Sequence, residues 1–524
     1  MAIHIKGFGG EIPRLQARYL PDQNAQTAKN VRLDRGDLEP IKDSVLAHTP
    51  SGIRAAIYKH GNTWLTFTDR TVRVVPGPVA TDRLYITCET LAPRVRFAGT
   101  DYALALPAPG TPPVLSRAGT LDTTLQEMVL YAYTWLTGMG EESQPCPAAG
   151  IYWSPGCTIT LAGMPAPPTG RNITKKRIYR SQTSASGETE FFFVAEITGS
   201  DVSFTHDLSS HPLQEAIPTR DFDPPPPAML GITAMPNGIM AAFAGKELLF
   251  SEPYQPHAWP MKYRLAMSDE IVALAAFGSS LAVLTRGQPV VVQGLHPEAM
   301  AQRKLEQPYP CLSALGVVDA GYAALYPSSD GLVEITEAGG RIVSEATWTR
   351  EQWGALDPSS FVAATINGRY VFSYTAGTST RQIGVLDLRA QPPSLSRINI
   401  ASPFLWTEQA SGRCYFLTAS GAEVHELDPV GGAISRTMAW RSKPYFTGRP
   451  TAVGAAFVEA PEPGAGAGVR VIADGNVIAV IKPADFNRVV RLPAGRFNQF
   501  EVEVEGTGTI TRISIGQLPD EVRL

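Results

Sequence analysis

The sequence predicts an all-β chain: a β-propeller that carries an inserted immunoglobulin- or fibronectin-like sandwich and a small C-terminal β domain. Three observations predict it. Gly 47 and Pro 44 make up about a sixth of the 524 residues, and they fall between β-rich runs, where they punctuate turns. Few segments carry apolar residues at helical spacing, so the 44% of hydrophobic residues is distributed mainly in runs of strand length. Strand groups recur at roughly 40 to 50 residues, the period of propeller blades.

Residues 1–110 read as an N-terminal platform with the first propeller strands, Asn62 to Thr68, Thr71 to Val75 and Leu84 to Cys88. Within them, Asp22 to Lys29 is expected as a short helix with Asp22 as N-cap. Residues 111–225 read as the insertion. Proline clusters at Pro107 to Pro113 and Pro224 to Pro227 bracket a strand series at Val129 to Thr137, Thr158 to Leu161, Thr174 to Arg180 and Glu190 to Ile197, and Pro-rich segments make stiff boundaries.

Residues 226–445 supply the remaining blades. Ile239 to Phe243, Leu248 to Ser251, Ile271 to Phe277, Leu281 to Thr285 and Val290 to Gln293 are joined by short polar turns, and the pattern recurs from Tyr322 to Ser344 and from Phe361 to Leu388. Asn367-Gly368 is the strongest hairpin signal, because both residues tolerate positive φ. A further unit runs from Phe404 to Leu427; at about 45 residues per blade the propeller parts allow up to about seven blades. Residues 446–524 form the C-terminal β domain, which contains a composition shift at Ala460 to Gly468.

Composition excludes several classes. The first ten residues have no basic stretch followed by an apolar run, so no export signal is expected. The longest apolar stretch, Ile271 to Thr285, is broken by Gly278, Ser279 and Ser280 and is shorter than the roughly 20 residues of a membrane helix. Five scattered cysteines (Cys88, Cys146, Cys157, Cys311, Cys414) include no CxxC pair and read as reduced, mostly buried thiols. The net charge is −4, with 14 Lys and Arg against 10 Asp and Glu in residues 1–110, 7 against 12 in 111–225, and 24 against 27 beyond. No segment is basic enough to grip DNA.

Catalytic templates give little: the sequence has no GxSxG, HExxH or Walker loop. Gly7-Phe8-Gly9-Gly10 lacks the preceding strand a phosphate loop requires. Ser328-Ser329-Asp330-Gly331 resembles part of an Asp box but reads as a hairpin turn, and Trp259 reads as a packed ring rather than a sugar platform. His206 and His211 have no standard metal spacing. Glu141, Glu142, Asp221 and Asp223 sit in turn-rich segments and are expected to be solvated. No catalytic residue, cofactor or metal is expected, and the chain is not expected to be an enzyme.

Four patches carry a resemblance. Gly9-Gly10-Glu11-Ile12-Pro13, Ala25 to Ala28 and Asn30 to Pro40 resemble the start of the tail nozzle proteins of short-tailed bacteriophages, also called tail tubular protein B. Tyr131 to Thr137 with Gly140 to Ser143 resembles the strand that opens their inserted domain, and Ser251 to Pro260 and Trp440 to Lys443 are similar to later pieces. The resemblance implies a structural virion protein of the tail, synthesised in the host bacterial cytoplasm. Such a subunit forms a homohexameric ring below the head-to-tail adaptor protein, lines the DNA ejection channel without sequence-specific binding, and docks tail fibre or spike proteins. The chain is short for that family, so extra fibre-docking domains are not expected.

A mildly acidic chain fits a channel wall that passes DNA without holding it, and a closed ring requires heterologous side-to-side interfaces. The candidate adaptor interface is the basic N-terminal segment with Arg14, Arg18, Arg32 and Arg35, since the planar guanidinium pairs carboxylates in two places. The alternative is a propeller-fold glycan hydrolase or host-glycan-binding tail protein, because a propeller alone does not fix function.

Overall fold

The computed structural model describes residues 2–80, 82–183, 189–461 and 466–523; part of the Ala460 to Gly468 composition shift lies outside them. The chain is all-β, of the β-propeller class with an inserted sandwich and a C-terminal β domain, and its one α-helix among the described residues is Arg350–Ala355. Two compact units are present: Met1–Arg70 with Leu284–Val290 and Lys304–Leu524, and Thr71–Val283 with Val291–Arg303.

In the first unit, blade-type antiparallel sheets follow the chain. One joins Val318–Asp319, Ala324–Pro327, Leu332–Thr336 and Gly339–Ile342; the next joins Val362–Ile366, Arg369–Tyr374, Gln382–Asp387 and Ser394–Ile398. The hairpin at Asn367-Gly368 forms as expected, with φ of 49° and 74°, the backbone that such a two-residue turn needs. A third sheet takes Leu405–Glu408, Arg413–Leu417 and Val424–Glu426 from late in the chain and completes itself with Val45–His48, with His48 opposite Val424. Borrowing an early strand removes an exposed edge from that sheet.

The first forty residues belong with the C-terminal strands. Ala2–Ile5 pairs with Arg512–Gly516, and Ala25–Lys29 pairs with Met438–Ser442, Ala28 opposite Trp440. The helix expected over Asp22 to Lys29 is therefore a strand, preceded by a single 3-10 turn at Ala17–Tyr19. An isolated eight-residue helix is marginal, whereas pairing buries Ala25 and Ala28 almost completely. The backbone N–H of Ala28 also donates to the Glu11 carboxylate at 2.9 Å, so tertiary pairing overrides local propensity. The core of this domain gathers Ile3, Ile5, Phe8, Trp440, Val469, Val502, Val504, Ile513 and Ile515.

In the second unit, Arg73–Pro76, Leu84–Thr87, Arg94–Phe97 and Thr100–Ala103 form one blade-type sheet, and Leu230–Ala234, Met240–Ala244, Glu247–Phe250 and Leu265–Ala266 form another. Between them in sequence lies the sandwich. Its larger sheet runs in the order Ala149–Trp153, Glu127–Thr137, Ile173–Thr183, Thr189–Thr198; its smaller one in the order Val114–Ala118, Thr158–Ala162, Phe204–His206. Tyr131, Tyr133, Trp135, Ile159, Leu161, Ile178 and Val194 fill the space between the sheets, which is the alternation that two-sheet packing demands.

Candidate functional site

The N-terminal arginines do not form one cluster. Arg14 donates to the Glu345 carbonyl, and the Arg18 guanidinium lies 5.3 Å from the centre of the Phe446 ring. Arg32 and Arg35 do meet: they approach the two oxygens of Glu39 at 4.0 and 3.9 Å, because the hairpin Val31–Arg32 and Glu39–Pro40 folds them onto one side. Arg35 is 76% exposed, but Arg32 is clamped by both oxygens of Asp428, at 2.7 and 3.2 Å. Nothing near Arg32 in sequence signals that partner.

The glycine run beside them does follow a strand, Ala2–Ile5, contrary to the expectation, but it is structural. The N–H of Phe8 donates to the Gly36 carbonyl at 3.0 Å, that of Gly9 to the Gln23 carbonyl at 2.7 Å, and that of Glu11 to the Leu395 carbonyl at 2.7 Å, so these donors are already used within the chain. A Cβ at Gly10 would stand 2.5 Å from the Leu395 carbonyl oxygen, and only glycine allows that approach. Glu11 is buried and meets Arg397 at 3.0 Å; burial raises its pKa, with Arg397 and the Ala28 N–H opposing. The Trp440 indole donates to the Gly9 carbonyl at 3.0 Å, and Asn24 donates to the Gly10 carbonyl at 2.9 Å.

A second buried junction, in the other unit, corrects the expectation that Glu141 and Glu142 are solvated. Glu142 accepts the hydroxyls of Thr134 and Tyr179 on one oxygen, both at 2.6 Å, and Arg177 on the other at 3.0 Å. Arg177 and Tyr179 are two apart on one strand and so share a face. His257 Nε2 donates to the Glu142 carbonyl at 2.9 Å. That places a proton on Nε2, while Nδ1 has no hydrogen-bond partner among the described residues, and burial lowers the ring's pKa to about 4, which favours the neutral form. Glu141 stands 4.0 Å from Arg83, yet burial outweighs that attraction and pushes its pKa up to about 7. Asp221 is the solvated member, paired with Lys262 at 3.2 Å. Asp223 accepts the side chain of Gln144 at 3.0 Å and the backbone N–H of Met261 at 2.9 Å.

This junction has a pH signature. The folded chain keeps the Glu141 proton between about 4.5 and 7 while the unfolded chain has lost it, so stability falls as pH rises through that window. His257 works in the opposite sense: from 6.5 down to about 4 the unfolded chain takes up a proton that the folded one refuses, so its contribution is lost as pH falls. In Glu141→Gln only the second effect remains. Urea unfolding across this range should show the variant gaining stability with rising pH relative to wild type, by on the order of 1–3 kcal/mol; parallel curves would refute the assignment.

The other residues singled out in the sequence have structural partners. Tyr131 donates to His206 Nδ1 at 2.7 Å, His206 Nε2 donates to the His211 carbonyl at 2.9 Å, and His211 Nδ1 meets the Ser210 hydroxyl at 3.0 Å. Trp259 is fully buried, with its indole donating to the Pro256 carbonyl at 2.8 Å. Ser328 donates its N–H to the Gly331 carbonyl at 2.9 Å, as a hairpin turn does. None of the five cysteines forms a disulfide, and all are buried. Among the described residues no group of three or more His, Cys, Asp or Glu is placed to hold a metal ion, and no helix is long and apolar enough to cross a membrane.

No family model and no curated protein matches the chain. Among solved structures, it is similar to BBS1N in complex with ARL6DN, soaked with lead, at 10% identity and a TM-score of 0.31 over 75% of this chain and 99% of that one. It is also similar to apo AztD from Citrobacter koseri, at 12% identity and a TM-score of 0.28 over 72% of this chain and 99% of that one. Likeness of this order identifies neither a family nor an activity.

Proposed function

We propose that the chain is a structural protein of a phage virion: a tail nozzle subunit that forms a homohexameric ring below the head-to-tail adaptor, lines the DNA ejection channel, docks tail fibres or spikes, and catalyses nothing. One observation carries the reading. The patches that resemble nozzle proteins pair off within the two units: Gly9 to Glu11 and Ala25 to Ala28 meet Trp440 to Ser442, and Gly140 to Ser143 meets Ser251 to Pro260 through His257. In the first place a strand pairing and a buried indole, and in the second a histidine side chain on a backbone carbonyl, tie one patch to the other; a scaffold uses its sequence in this way, whereas an enzyme gathers polar groups around an open pocket.

Arg14, Arg18 and Arg35 are the exposed candidates for the adaptor; Arg32 serves the fold, since reversing it sets a carboxylate against Asp428. The triple variant Arg14→Glu, Arg18→Glu, Arg35→Glu should lose no more than about 1.5 kcal/mol, about 0.5 kcal/mol for each surface substitution, and fail to join adaptor-bearing heads. Normal joining by the folded triple variant would remove this segment from the interface.

A further inference from the structure

A groove of about 850 Å³ opens in the first unit, lined by Lys29, Arg381, Arg397 and Arg436 against only Asp43 and Glu505 among charged side chains. Both acids are taken: Asp43 binds Arg436 at 2.5 Å and Glu505 binds Arg470 at 3.0 Å. Arg397 is held by Glu11 at 3.0 Å. Two cations remain without a carboxylate within ion-pair distance among the described residues. Lys29 is one, an exposed side chain at the end of its strand.

Arg381 is the other, and it is the more telling. Its guanidinium is half-buried and held only by neutral acceptors: the Ser373 hydroxyl at 2.8 Å and the carbonyls of Ser402 at 3.1 Å, Ser360 at 2.5 Å and Ser373 at 2.8 Å. Burial lowers its pKa, Arg70 pushes the same way, and Asp357 opposes both. A half-buried cation with no carboxylate in ion-pair contact among the described residues is under-compensated, and an anion in the groove supplies the missing charge.

We propose that this groove binds a phosphate oxyanion, with Arg381 and Lys29 as its principal partners and Arg397 and Arg436 beside them. The lining carries an excess of two positive charges, which suits a dianion better than a single carboxylate, and the internal acceptors of Arg381 take only its Nε and Nη2, which leaves the Nη1 donors for a phosphate oxygen. The volume suits a ligand of nucleotide size. The same chemistry comes from free phosphate esters or from successive phosphates of a nucleic-acid backbone. The site does not depend on the nozzle reading.

The test is titration of the full chain at low salt with inorganic pyrophosphate and, separately, with a short labelled oligothymidylate. Saturable binding is expected, weakened at least about tenfold by Lys29→Glu and by Arg381→Gln. Arg381→Gln is scored only if its circular dichroism matches wild type; otherwise the exposed Lys29→Glu decides. Tighter, salt-sensitive binding of the oligonucleotide assigns the site to a nucleic-acid backbone, and binding of pyrophosphate alone assigns it to a small anion. No saturable binding of either probe, or unchanged affinity in Lys29→Glu, overturns the proposal.

Discussion

Replacing Trp440 with alanine is expected to lower stability by about 3 to 5 kcal/mol. The indole is fully buried and meets the Phe8 ring edge-on at 5.0 Å. Its residue sits between Ala28 on one neighbouring strand and Val504 on the other. Truncation empties the centre of the core shared by the first residues and the C-terminal strands, and it also leaves the Gly9 carbonyl without its donor. Urea unfolding measures the loss, and limited proteolysis should cut first within the opening forty residues. Trp440→Phe keeps most of the packing and should lose about half as much. A midpoint for the alanine variant near wild type would mean that the N-terminal segment is not part of that core.

Glu142→Ala carries the second large effect, about 3 to 5 kcal/mol, because it leaves Arg177, Thr134 and Tyr179 facing an empty site. Glu142→Gln should cost less, since an amide oxygen still accepts one hydroxyl. Thermal melts followed by near-ultraviolet circular dichroism report on the aromatic core of the sandwich directly. Equal and small losses in both variants would show that the ion pair contributes little there.

The elements that were legible in the sequence are those whose signal is local. Asn367-Gly368 turns a hairpin because both residues take positive φ. Tyr131 to Thr137 falls within the strand Glu127–Thr137, and its tyrosines Tyr131 and Tyr133 are fully buried. The strand Val45–His48 gave no such signal, because its valine and leucine stay exposed and what places it is a sheet formed almost 400 residues later. The helix expected over Asp22 to Lys29 failed for the same reason, its partner strand lying at Met438–Ser442.

Polar chemistry was less legible than strand pattern. Glu141-Glu142 looks solvated beside Gly138 and Gly140, and only Arg83, Arg177 and Tyr179, from other strands and loops, make it a buried junction. Arg32 reads as a free surface cation until Asp428 is brought against it. Charge pairing across such separations leaves no trace in spacing, whereas turn chemistry does.

Assembly into a nozzle is tested by adding the purified chain to adaptor-bearing phage heads that lack one and determining the symmetry of what attaches by electron cryomicroscopy. A single ring of six copies seated on the adaptor around an open channel is expected. Heads that remain bare, or copies attached singly at the periphery with no ring, would contradict it.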